Sequence, residues 1–589
     1  MKTIFRASIL VLLIVSATTY SCDDSFLDQP PIGAVGPDLI KDKRGVEGLL
    51  IGAYSLLDGA GGSGGWGASG TNWVYGSICS GEAYKGTDAG DQSDINPIER
   101  YESLPNNPYF EQKWRALYDG VGRSNDVLVF LEQVEDITEA DITRITAETR
   151  FLRGHYHFEA KKIWGNIPYI DEAIAKQALE QNSLDPYKVP NTSNDVWQKI
   201  EADFKYAYDN LPETMSEKGR ANKWAAGAYL AKAYMFQQKY TEAKPLLEEI
   251  IMNGTTAAGV PYGLNALYHD NFRTATNNSQ EGVFEIQFSV NDGGGGDNGA
   301  SLDILNFPYS SAAPGGCCGF FQPTQNLVNS FKTDGDGLPL LETYNNEDVK
   351  SDQGVASDEP FEPYADNLDP RLDWTVGRRG LPYLDWGEHD GQSWIRDQAY
   401  AGPYSPKKNV YYKEEEFSLT QPGNWTKGYV ANNYRLIRFA DVLLWAAECE
   451  VEIGSLDKAR EYVNQIRARA ANPDGWVKDD AGDPAANYVI NTYPGGGAYP
   501  FDNQDNARSA IYFERKLEFA MEGHRFFDLV RWGIAEQEIN SYLTAEQNKR
   551  QYLNGASFDA TDVYFPIPEK AIVNSQVNGE PTLQQNDGY

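Results

Sequence analysis

The chain has 589 residues, with 51 Lys and Arg against 85 Asp and Glu, a formal net charge of −34, and 13% aromatic residues. Such a charge argues against nucleic acid and anionic membrane surfaces as partners, because phosphate contacts need clustered Lys and Arg. The length, the aromatic content and the 30 prolines and 55 glycines point to an ordered, loop-rich protein with a large core rather than a disordered one.

At the N-terminus, Lys2 and Arg6 precede a short apolar run over 9–15, followed by small and polar residues up to Ser21. This reads as a secretory signal over 1–21, because the run is too short to span a bilayer. Cys22 then leads the mature chain and is the expected acceptor of a lipid anchor, although Thr19-Tyr20-Ser21 departs from the usual Leu-small-small approach to such a cysteine. Asp23 and Asp24 resemble an export signal to the outer surface. No other segment reaches the length of a transmembrane helix, so the anchor is the only expected membrane attachment.

Helical periodicity follows over 46–58, 110–134, 139–164, 194–211, 223–238 and 241–252. It returns over 434–453, 456–470 and 508–531. Between about 260 and 430, Gly, Pro, Asn and Asp clusters surround short strand-like pieces such as 283–290. Ala231, Tyr240, Ala243, Leu247 and Ile250 repeat at an offset of 216 as Ala447, Leu456, Ala459, Val463 and Ile466. Small residues at 243 and 459 allow close helix approach, which is the packing logic of a tetratricopeptide hairpin. The expected fold is mainly α, a tetratricopeptide-type helical scaffold carrying a large irregular insertion with short strands. Its parts are 22–260, the inserted lobe 261–430, and 431–589.

Near the C-terminus, residues 514–533 read E-R-K-L-E-F-A-M-E-G-H-R-F-F-D-L-V-R-W-G. The spacing predicts one amphipathic helix. Arg515, Glu518, Glu522, Arg525, Asp528 and Arg531 form a stripe of mostly alternating sign, which physics alone reads as a solvated, salt-bridged face. The whole string resembles the C-terminal signature of the SusD/RagB family. Blocks over 147–170, 322–337, Asp369-Pro370-Arg371-Leu372, 435–450 and 563–568 are similar to that family in order and spacing, as is the terminal Asn586-Asp587-Gly588-Tyr589, with Asp587 where proline is commoner. The resemblance implies a non-catalytic outer-membrane surface lipoprotein that binds a glycan. It also implies a partner, a TonB-dependent transporter into which the glycan is handed. A secreted glycoside hydrolase on a helical platform and a peptide-binding member of the same family are the alternatives.

Several patterns mimic chemistry. Ser63 sits in G-G-S-G-G, and G-x-G-x-x-G recurs over 62–67 and 294–299, but none follows a strand or opens a helix. His155 and His157 are two apart on a predicted helix and point to different faces, so they cannot share a metal. Asp334-Gly335-Asp336 lacks the ligand spacing of a calcium loop and reads as a turn. No catalytic residue, cofactor or metal is expected.

A sugar site needs flat aromatic platforms beside directional hydrogen-bonding groups. Two loop regions supply the mixture, 58–101 and 315–404. The candidate ligand contacts are Asp58, Trp66, Trp73, Tyr84, Asp88 and Tyr101 in the first, with Asp91 nearby. In the second they are Cys317, Cys318, Phe320, Arg378, Trp386 and Tyr404, with Arg396 nearby. Trp66 and Trp73 lead because flanking glycines leave no helix or strand to bury them. Cys317 and Cys318 are either a disulfide offering a rigid apolar surface or two buried thiols.

Overall fold

The computed structural model describes residues 41–60 and 65–589. The expected signal over 1–21, Cys22 and the centre of the G-G-S-G-G tract lie outside the described residues. Among those described, no helix is long and apolar enough to cross a membrane.

The frame is helical. Helix α1 spans Lys43–Tyr54, α2 Pro108–Leu131, α3 Glu139–Trp164, α4 Glu172–Gln181, α5 Val196–Asn210, α6 Lys223–Met235 and α7 Tyr240–Asn253. After the irregular middle come α8 Phe439–Ile453, α9 Leu456–Ala470, α10 Gln504–Glu518, α11 Arg525–Trp532 and α12 Ala535–Glu546. Starts are capped as the sequence dictates. Asn222 accepts from the Ala225 amide at 2.9 Å, and Asn503 from the Asn506 amide at 3.0 Å. The pairs α6–α7 and α8–α9 are the two repeating hairpins. Ala231, Ala243, Leu247 and Ile250 are buried, and so are Ala447, Ala459, Val463 and Ile466. Lys244 of one pair reaches Glu450 of the other at 3.0 Å.

Short antiparallel pairs tie the irregular middle to this frame. Strand β1 (Ala83–Gly86) pairs with β3 (Phe320–Pro323), and β2 (Gly282–Ile286) pairs with β4 (Tyr434–Arg438). A second, smaller core of Phe307, Tyr383, Trp394, Val410, Tyr411 and Val430 lies wholly within the middle region, apart from the main one.

Residues 514–533 are not one helix. Helix α10 ends at Glu518, and the chain turns through Met521 and Gly523, both at positive φ, before α11 begins. At Gly523 a Cβ would lie 2.0 Å from the Thr71 carbonyl oxygen, so this turn packs directly on the 71–77 loop. The charged stripe is also not solvated. Glu514, Arg515, Glu518, Glu522, Arg525, Asp528 and Arg531 are all buried. They enter a network with residues from other blocks. Arg438 meets Glu281 at 2.9 Å, Glu518 at 2.8 Å and Glu522 at 2.9 Å, while Arg371 meets Asp369 at 2.7 Å and Glu514 at 2.6 Å. A surface reading fails because helical spacing alone cannot distinguish charges facing water from charges facing opposite charges on other elements.

Candidate functional site

The β1–β3 pairing brings the two loop regions together. Tyr84 stands opposite Gln322 and Gly86 opposite Phe320, and the Thr87 amide continues the ladder to the Gly319 carbonyl. Beyond the strand ends the chain opens into a surface patch. Arg396 organises it, donating to Thr87 Oγ1 at 3.0 Å and Asp91 Oδ2 at 2.6 Å, and pairing with Asp88 Oδ2 at 2.8 Å. Its guanidinium lies over the Tyr309 ring, 5.1 Å from the centroid. Tyr309 is 39% exposed and is the open aromatic face of the patch. The Asp88 loop is held from beneath, because the Lys85 ammonium donates to the Asp88 and Asp91 carbonyls at 2.7 and 2.8 Å. Partial burial pushes the Asp88 carboxyl up, but the Asp91 and Gly90 amides and Arg396 outweigh it, so the group stays ionised below its usual range.

Cys317 and Cys318 are disulfide-linked, across a cis peptide bond. Cys318 is buried and Cys317 half-buried, so the disulfide forms part of the wall beside Tyr309 rather than an open shelf. Backbone bonds from Cys318 and Phe320 to the Leu305 carbonyl, and from Gly319 to that of Phe307, fix the segment against 305–309.

Behind this wall lies a cavity of about 60 Å³, lined by Trp73, Asp303, Asn306, Phe307, Phe321, Lys407, Lys408 and Tyr434 among others. Trp73 meets Phe321 edge-on at 5.8 Å. Trp73 Nε1 and Asn306 Oδ1 have no partner among the described residues. The space is large enough for about two waters beside these atoms. Ser69 and Thr71 donate to Asp303 Oδ1 at 3.0 and 2.7 Å, and burial pushes that carboxyl up to about 6. Burial also pushes the Lys407 ammonium down to about 7, although it donates to the Asp373 and Pro382 carbonyls.

Only some of the twelve sequence candidates face this surface. Asp88 is on the patch and the Cys317–Cys318 wall borders it. Phe320 is fully buried beneath. Trp73, expected to stand exposed, is 2% exposed. Its glycine-rich surroundings do not project it outward; they let the 65–77 turns pack closely against α2 and the Gly523 turn. Trp66 is likewise half-buried against the main core, beside Gln112. Tyr84 is buried with its hydroxyl on Glu546, and Tyr404 is buried with its hydroxyl on Gln325 at 3.1 Å. Arg378 is buried in a two-bond pair with Asp373, each 2.8 Å. Tyr101 is half-buried and donates to the Cys79 carbonyl, while Trp386 is half-buried and donates to that of Tyr411. Asp58 is half-buried, accepts from the Ala60 amide at 2.7 Å, and is pushed up to about 6 by burial.

Tyr309, Thr87 and Asn306 were missing from the sequence candidates. Tyr309 lies six residues before the second region opens, in Phe307-Pro308-Tyr309-Ser310, where a proline-flanked aromatic is the available signal. His155 bonds Tyr229, His157 bonds the Arg153 carbonyl and the Ile170 amide, and Asp334 caps its own turn. Among the described residues no group of side chains is arranged to hold a metal ion.

The SusD family profile matches residues 280–589, over half of the chain. The chain belongs to the SusD family. A second profile, described as starch-binding associating with outer membrane, matches residues 69–235. Among curated relatives, SusD-like protein P25 of Formosa agariphila is 24% identical over 98% of both chains. The starch-binding protein SusD of Bacteroides thetaiotaomicron is 23% identical over 78% of this chain and 75% of its own. Among solved structures, a SusD superfamily protein from Bacteroides vulgatus matches with TM-score 0.65 at 23% identity, covering 93% of this chain and all of that one. A laminarin binding SusD-like protein matches with TM-score 0.59, also at 23% identity and with the same coverage. Identities this low establish a shared SusD-type fold, the mainly helical scaffold with an irregular, loop-rich insertion.

Proposed function

We propose that this SusD-family protein binds a neutral glycan non-catalytically at the Tyr309–Arg396–Asp88 patch, on the outer face of the outer membrane, anchored through Cys22. It would hand that glycan to a partner TonB-dependent transporter. The observation that carries the reading is Arg396, which joins both loop regions beside an exposed tyrosine ring. An aromatic face supplies stacking to sugar C–H groups, and Asp88, Asp91 and Thr87 supply directional acceptors and a hydroxyl. Relatives named for starch, laminarin and laminarihexaose binding support the ligand class. The lobe over 261–430 would bear much of this site.

The hydrolase alternative needs one carboxylic acid kept protonated beside a second carboxylate. Asp88 and Asp91 instead share one arginine, and Asp88 is held ionised, which disfavours proton donation. A glycan array on purified protein tests the binding reading, with neutral glycans as the expected hits. Binding of peptides alone, or of nothing, would overturn it. Prolonged incubation with the bound glycan should release no new reducing ends. Mass spectrometry of membrane-extracted protein should find a diacylglycerol on Cys22, and an unmodified soluble chain would refute the anchor.

A further inference from the structure

A long groove runs along one face of α2, away from the patch. Glu111, Arg115, Tyr118, Gly122, Asp126 and Val129 recur at steps of three and four residues and line it in turn. Eighteen residues at 1.5 Å each make the stripe about 27 Å long. Two adjoining cavities occupy it, of about 940 and 320 Å³, and they share Leu184 and Tyr187 from the loop after α4. The larger is of the size that takes an extended ligand. Its floor is aromatic, with Trp114 and Tyr118 stacked at 4.6 Å between ring centroids.

The charges on its rim select the ligand class. Lys570 pairs with Glu111 at 2.6 Å and Lys188 with Asp185 at 2.8 Å, while Arg115 lies 4.0 Å from Glu111. The rim cations are thus each beside one of the chain's own carboxylates, which leaves little attraction for an anion. Two polar groups lie near each other at the middle. The Tyr187 hydroxyl, pushed up by burial and by Asp126, and the exposed Asp126 carboxylate form no hydrogen bond or ion pair with another described residue. A half-buried tyrosine ring beside a free carboxylate suits the alternating apolar faces and hydroxyls of a sugar chain.

We infer that this groove is a second glycan-binding site, separate from the Arg396 patch, with Tyr187 as its platform and Asp126 as its hydroxyl acceptor. The inference rests on the glycan-binding reading above. Two sites on one chain would hold a long polysaccharide at two points, which raises avidity without tightening either contact.

Calorimetric titration tests it, with hexaoses of β-1,3-glucan, β-1,4-xylan, β-1,4-mannan and α-1,4-glucan as probes. Arg396→Ala should retain one binding event with at least one of these hexaoses. Adding Tyr187→Ala should weaken that event at least tenfold, and adding Asp126→Asn instead should weaken it at least threefold. Melting temperature should not move, because both side chains lie at the surface of the groove. If Arg396→Ala abolishes all binding, or Tyr187→Ala changes nothing, the groove is not a glycan site while the patch reading stands. If the wild-type protein binds no hexaose, both readings fall.

Discussion

Arg438 and Glu518 stand 2.8 Å apart with neither side chain reaching solvent. Glu518 also meets Arg469 and Arg371, so one carboxylate bridges three guanidiniums from three different segments. Removing it strands buried positive charge. Glu518→Ala is expected to cost about 3–5 kcal/mol. Chemical denaturation measures the loss, and a cost under about 1 kcal/mol would mean that the network is weakly coupled.

The same network sets a pH limit. Burial alone would raise the Glu518 carboxyl, but Arg469, Arg438 and Arg371 outweigh it and hold the group far below its ordinary 4.5. Asp528 is held low in the same way by Arg515 and Arg531. A depressed carboxyl stabilises the fold above its unfolded pKa, and that stability is lost as pH falls further. Glu82 and Glu99 act oppositely, since burial pushes both up to about 7. Their contribution is complete below the unfolded pKa and disappears as pH rises through about 7. These four carboxyls together therefore contribute most at about pH 4–5, and their contribution falls on both sides. A variant carrying Glu82→Gln and Glu99→Gln should lose less melting temperature than the parent between pH 5 and pH 8, and an identical pH dependence would contradict this balance.

Trp73→Ala should unfold the protein more readily, by about 3–5 kcal/mol, since truncating a buried tryptophan leaves a cavity. This reverses the expectation from its glycine-rich flanks. Thermal melts decide it, and an unchanged melting temperature would mean the ring is not part of the core.

Arg396→Ala and Tyr309→Ala should do the reverse, leaving stability within about 1 kcal/mol because their contacts are partly solvated. Each should weaken binding at the patch by about 2 kcal/mol, a loss of about thirtyfold. Affinity and melting temperature measured together on both variants check this. Normal binding by both would move the ligand elsewhere.

The helical hairpins were legible because their signal is local. Ala243 and Ala459 sit where close helix approach requires small side chains, and a fixed offset exposes the repeat. The division of 514–533 was not legible, because its break depends on Thr71 and Gly76, distant in sequence, pressing against Gly523. Burial of the charged stripe depends likewise on Arg438, Arg371 and Glu281 arriving from elsewhere. Composition named loops that supply Asp88 and Arg396 to the patch, but Tyr309 lies outside both of them and the aromatics it named are buried or half-buried. Tyr84, Tyr404 and Trp73 have the chemistry of sugar platforms, yet their exposure is decided by partners such as Glu546, Gln325 and Phe321. Asp88 was legible because a short acidic side chain in the turn Asp88-Ala89-Gly90-Asp91 has few buried alternatives.

The Arg396 contacts have a consequence for how the protein matures. Arg396 and Thr87 are 309 positions apart in the chain, yet they share a 3.0 Å hydrogen bond at the patch. Closing so long a loop is among the later events of folding, after the local hairpins have formed. The proposed binding surface therefore forms only once the segments around Thr87 and Arg396 have come together. Ligand affinity at the proposed patch should then report that these long-range joints have closed.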